Sequence, residues 1–138
     1  VTSTETGSPI SRVSIAFRAG SRNEVHSSLG ASHIIRVAAG LSTKHATQFG
    51  ITRNIQQLGG SLTVTSDREI IAYTIEVTRD HLEEALQFLE KSVTGQVFKP
   101  WEILDNNNRV KIDLANVTPQ VRAVELLHRA AYRTGLGN

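Results

Sequence analysis

Two apolar runs separated by a short polar turn set the tightest limit on how this chain can fold. Leu62, Val64 and Ser66 alternate with Thr63 and Thr65, Ile70 to Val77 is rich in β-branched and aromatic residues, and Asp67-Arg68-Glu69 lies between them. A period of two separates the faces of a strand, and a polar turn between two such runs predicts an antiparallel hairpin. From Arg12 to Ala19, Val13, Ile15 and Phe17 alternate with Ser14, Ala16 and Arg18, which predicts another half-buried strand.

Elsewhere the spacing is helical. Leu29, His33 and Val37, with Ile34 and Ile35 between them and Gly40 just beyond, predict a short and mostly buried helix. Phe49, Ile51, Ile55 and Leu58 predict a second helix over residues 47–58, which Gly59-Gly60 ends by accepting positive φ. The capping-box pattern Asp80-x-x-Glu83 opens a third through Leu82, Leu86, Leu89 and Val93. Pro100 starts a fourth carrying Ile103, Leu104, Val110, Ile112 and Leu114, despite the poor helix formers Asn106-Asn107-Asn108 in its middle. Thr118-Pro119 begins the last, with Val121, Val124, Leu127 and Ala131 as its apolar stripe.

The order β, α, α, β, β, α, α, α predicts an α+β fold, a largely antiparallel sheet with helices packed on one face. Its expected core is Val13, Ile15, Phe17, Ile34, Ile35, Val64, Ile71, Tyr73, Ile75, Leu82, Leu86, Leu89 and Leu127. Residues 1–138 read as a single partial domain of a longer polypeptide, with residues 1–9 a frayed lead-in and no internal repeat or linker.

Composition narrows the function classes. The 39% hydrophobic and 20% charged fractions are globular. The 15 basic and 13 acidic residues leave a net charge of +2, and the arginines are spread from Arg12 to Arg133 instead of clustering, so no nucleic-acid partner is expected. With no Cys there is no disulfide, thiolate metal site or Cys nucleophile. No apolar run approaches the roughly 18 residues of a spanning helix, so no direct membrane span is expected.

The most informative stretch is Gly30-Ala31-Ser32-His33-Ile34-Ile35-Arg36-Val37, with the Gly59-Gly60 turn, Ser66-Asp67-Arg68-Glu69 and Tyr73 after it. Together these resemble the amino-terminal domain of the pitrilysin-like zinc peptidases, the family that includes the mitochondrial processing peptidase. The family signature is H-x-x-E-H on a helix: two imidazoles on one face bind zinc, and the Glu takes a proton from the metal-bound water. The resemblance puts His33 at the first imidazole, Arg36 where the general base should stand, and Val37 in place of the second imidazole. Asp113 falls near the distant acidic ligand. A guanidinium stays protonated, cannot act as a base and repels a divalent cation. No catalytic residue, no cofactor and no metal are therefore assigned, and His33, Arg36, Val37 and Asp113 are the degenerate positions.

Within that family the chain resembles the non-catalytic core proteins of the mitochondrial ubiquinol-cytochrome c reductase. This rests on Arg18-Ala19-Gly20-Ser21-Arg22, Leu29-Gly30-Ala31-Ser32-His33, Ile51-Thr52-Arg53, Arg68-Glu69-Ile70-Ile71-Ala72-Tyr73-Thr74 and Leu127-His128-Arg129-Ala130-Ala131-Tyr132-Arg133. The resemblance implies part of the first half of a two-half structural subunit. Such a subunit is peripheral on the matrix side of the mitochondrial inner membrane and hetero-oligomeric, with another core protein and further respiratory-complex subunits as partners. Two alternatives stay open: the non-catalytic, presequence-binding subunit of the mitochondrial processing peptidase, and an active zinc metalloendopeptidase. If the helices of Arg36 and Asp113 meet, an Arg-carboxylate contact is expected where the metal was. Plainer readings stand beside these, with His33 a hydrogen-bonded core residue, Glu125-x-x-His128 a surface pair and His81 a first-turn residue without a catalytic role.

Overall fold

A computed structural model describes residues 1–137. Three strands form one antiparallel sheet, β1 (Ile10–Phe17), β2 (Ser61–Ser66) and β3 (Ile71–Thr78), in the order β1-β3-β2. The expected hairpin is β2-β3, in register with Val64 beside Tyr73 and Leu62 beside Ile75. On the other side of β3, Ile15 lies beside Tyr73 and Phe17 beside Ile71.

Among the described residues six α-helices accompany the sheet: α1 (Ala31–Ala38), α2 (Gln48–Gln57), α3 (Leu82–Thr94), α4 (Pro100–Asp105), α5 (Asn107–Ala115) and α6 (Pro119–Tyr132). The core lies between β3 and the helices α2 and α3. Alternate residues Ile71, Tyr73, Ile75 and Val77 of β3 are buried against Ile51 and Ile55 of α2 and Ala85 and Leu89 of α3. Thr47 caps α2 by accepting from Gly50 N–H at 3.2 Å, and Gly59 after it takes φ +67°. This arrangement is the expected α+β fold.

Several local expectations need correction. The capping box at Asp80 does not form: residues Arg79–His81 coil into a 3₁₀ turn, so Asp80 lies inside that turn and His81 holds the N-cap position without a side-chain bond. The single helix expected from Pro100 is two, α4 and α5. They part at Asn106, whose Nδ2 donates to the Glu102 carbonyl at 2.7 Å and competes with the helical ladder.

The expected core also loses four members, Ile15, Phe17, Leu86 and Leu127, which are 37, 40, 38 and 67% exposed. Ile15 and Phe17 lie on the edge strand β1, whose extensive contacts are with β3 alone among the described residues, although the Phe17 ring meets Tyr73 edge-on at 6.2 Å. In α3 the side facing the sheet is Ala85, Leu89 and Ser92, one step round from Leu86. Helix α6 buries none of its residues. Val13, Ile35, Val64 and Leu82 pack partly buried around the core, and Ile34 is half-buried. Ile51, Ile55, Val77 and Ala85 join the core beyond the residues expected from the sequence.

Candidate functional site

Helix α1 carries the residues singled out by the sequence, and its start is held by a distant acid. Glu24 accepts hydrogen bonds from Gly30 N–H at 2.8 Å, Ser32 N–H at 2.8 Å and Ser32 Oγ at 2.6 Å. The two N–H donors are unpaired backbone groups of a helix amino terminus, and the Ser32 hydroxyl adds a third bond. Burial raises the Glu24 pKa, but the bonds from Ser32 and Gly30 outweigh it and hold the carboxyl below its ordinary value. Gly30, at φ +87°, supplies the left-handed residue that turns the chain into α1.

Spacing of three places His33 and Arg36 on one side of α1. There they meet Asp113 of α5. Arg36 Nη2 donates to Asp113 Oδ2 at 3.1 Å and to His33 Nδ1 at 3.2 Å. The Arg36 and Asp113 side chains are each about a third exposed. Because a guanidinium only donates, Nδ1 must be the acceptor and the proton of the neutral ring sits on Nε2. That Nε2 is buried without a hydrogen-bond partner. Burial first, and then the positive charge of Arg36, push the His33 pKa below its ordinary value of 6.5, against the opposing pull of Asp113. Val37 turns into the protein and is 4% exposed.

The Arg-carboxylate contact expected from the sequence is therefore present. A zinc ion does not fit these residues: the guanidinium lies within bonding distance of both remaining donors, and Val37 has none to offer. Among the described residues, no group of three His, Cys, Asp or Glu side chains comes together in a way that could hold a metal.

The cluster opens on a cavity of about 1260 Å³, walled by α1, the end of β2, α5 and α6, with His33, Val64, Asp113, Val121 and Arg129 among its lining residues. Two contacts at the β2-β3 turn beside it are not legible in the sequence. Arg68, expected only as a turn residue, donates through Nη2 to Glu125 Oε2 at 2.5 Å and through Nε to the Leu136 carbonyl at 3.1 Å, tying the β2-β3 turn to α6 and the segment after it. Below that turn Gly20 is pressed so close that a Cβ there would lie 2.4 Å from the Asp67 carbonyl oxygen and the Arg68 carbonyl carbon. Nothing in the local pattern signals either contact, since both join segments far apart in the chain. Glu24 was equally invisible as a cap, lying outside the usual capping spacing.

Glu125 and His128 do not act together, because Glu125 pairs with Arg68 while His128 Nδ1 donates to the Val124 carbonyl at 2.9 Å. His81 makes only a surface approach to Glu84, at 4.0 Å.

The family model described as insulinase, peptidase family M16, matches residues 1–138. Cytochrome b-c1 complex subunit 2, mitochondrial, is 42% identical to this chain in both Homo sapiens and Rattus norvegicus, covering 100% of the chain and 31% of each relative. Probable mitochondrial-processing peptidase subunit alpha-1 of Arabidopsis thaliana is 28% identical, covering 96% of the chain and 27% of that relative. A crystal structure of a protease from Helicobacter pylori matches with a TM-score of 0.65 at 20% identity, over 94% of this chain and 28% of that one, a likeness of fold. The chain thus spans about a third of the length of the curated relatives it matches.

Proposed function

The chain belongs to peptidase family M16, and on that premise we propose that it forms part of the amino-terminal half of a structural subunit of a mitochondrial cytochrome b-c1 complex, in the place of a second core protein. Residues 1–138 are then one partial domain of that subunit. It has no peptidase activity, binds no metal or cofactor, and sits peripherally on the matrix side of the inner membrane with a first core protein and other subunits of the complex. The relatives that are 42% identical support the complex, and no described helix is long and apolar enough to cross a membrane.

One observation carries the loss of catalysis. A permanent cation, Arg36, stands on the face of α1 where hydrolysis needs a proton acceptor, and it bonds to both His33 and Asp113. Metal analysis of the full-length subunit tests this, with an expected zinc content far below one per chain and no chelator-sensitive peptide cleavage. Stoichiometric zinc that is lost on His33→Ala, together with such cleavage, overturns the reading. The likeness to a processing-peptidase alpha subunit supports a second reading, presequence binding without cleavage beside a catalytic partner. Native electrophoresis of detergent-solubilised mitochondria separates the two by showing whether the subunit migrates with the respiratory complex or with a soluble peptidase.

A further inference from the structure

We propose that the Arg36 guanidinium, oriented by His33 of its own helix, does the mechanical work of a metal at this site, clamping α1 to α5 through Asp113 and thereby holding the helical wall of the cavity in place. The inference rests on the reading that no zinc is bound there.

The donor set is what suggests the role. One imidazole nitrogen and one carboxylate oxygen converge on a single positive group, as they would on a metal ion, but at 3.2 and 3.1 Å from Nη2, hydrogen-bond distances instead of the roughly 2.0–2.2 Å of zinc coordination. A guanidinium can replace the ion in this one respect because it carries permanent charge and several donors in a rigid plane. His33 is the neutral acceptor that orients it.

The two helices differ in what else holds them. Val37 and Ala38 anchor α1 in the interior, and Glu24 caps its start. Helix α5 buries no residue, and Ile112 and Leu114 are each 59% exposed. It has little apolar packing to hold it against α1, so a charge-assisted contact carries a large share of their association. Arg68 makes the corresponding tie from the β2-β3 turn to Glu125 of α6, so α5 and α6 are each fastened by one arginine from elsewhere in the chain. An incidental surface pair does not account for the Arg36 cluster, since both charged side chains are about two-thirds covered and a third partner is present.

Hydrogen exchange of the full-length subunit in its assembled complex, read on peptides covering residues 107–115, tests the clamp. Arg36→Gln is expected to speed exchange there about five- to tenfold while peptides from β3 are unchanged, and Arg36→Lys to give an intermediate effect because it keeps the charge and loses the planar fork. Asp113→Asn should reproduce the Arg36→Gln effect, and the double variant should be no worse than either alone. Rates at 107–115 within about twofold of the parent in Arg36→Gln, or additive effects in the double variant, overturn the clamp. Either result leaves the non-catalytic reading standing, whereas stoichiometric zinc defeats that reading directly.

Discussion

The half of the molecule around β3 and the half formed by α4, α5 and α6 have similar apolar patterning and opposite fates. In the first, Ile75, Val77, Ala85 and Leu89 are essentially inaccessible. In the second, neither α5 nor α6 buries a residue, and Val121, Val124, Leu126 and Leu127 stand 48 to 67% exposed. An apolar stripe is therefore a requirement for a partner surface, and its presence alone does not say that this chain supplies one. The α2 and α3 stripes find β3; of the α6 stripe only Val121 faces the cavity, and the helix is held at its polar side by Arg68 and Glu125.

Truncation breaks the comparison most sharply. Leu89→Ala should destabilise this chain by about 2–5 kcal/mol, because the surrounding core cannot close over the lost volume. Leu127→Ala should stay within about 0.5 kcal/mol in the same denaturation measurement. Equal losses would show that the exposed stripe is packed in solution. If Leu127→Ala becomes costly only when the chain is tested within the assembly proposed for it, a surface outside the described residues covers α6.

Gly20→Ala tests the β2-β3 turn from which Arg68 reaches α6. Its Cβ would collide with backbone atoms of Asp67 and Arg68, which cannot rotate away as a flexible side chain would. A loss of about 1–3 kcal/mol in thermal or urea unfolding is expected, together with weakened closure of the β2-β3 turn against the preceding loop. An unchanged midpoint would show that the loop simply shifts.

The smallest effect is on pH dependence. The folded protein favours neutral His33, whose pKa lies below 6.5, so on acidification the unfolded chain takes up that proton first. The stabilisation from His33 is complete above its ordinary pKa and is lost as pH falls through the lower, folded value. Between about pH 7.5 and about pH 5, the parent should lose more stability than His33→Gln, measured as the difference in unfolding midpoint. Parallel curves would mean that His33 titrates as in the unfolded chain, and so that its burial beside Arg36 has no energetic consequence.

Much of the fold was legible because it is local. Alternation at Leu62, Val64 and Ser66, the β-branched run to Val77 and the polar turn between them give the hairpin, and Gly59 marks the end of α2. The Asp80 cap was misread because a 3₁₀ turn precedes α3, a choice between two helical geometries that differ little in sequence preference. Leu86 was misread because four apolar residues at helical spacing do not say which arc of α3 faces the sheet; the small Ala85 occupies that arc. At the site, His33, Arg36 and Val37 were legible as residue types, while the Glu24 cap and the Arg68 ties were not.

Residue identity by itself determined the strands, the turns and the permanent positive charge that Arg36 sets three residues from His33, since propensity, periodicity and ionisation act within a few neighbouring residues. Tertiary structure alone decided which stripes are buried and that Arg36 meets Asp113 across 77 positions of chain. Such meetings depend on how whole helices come to rest on the sheet, and that is a property of the packed molecule, not of any segment within it.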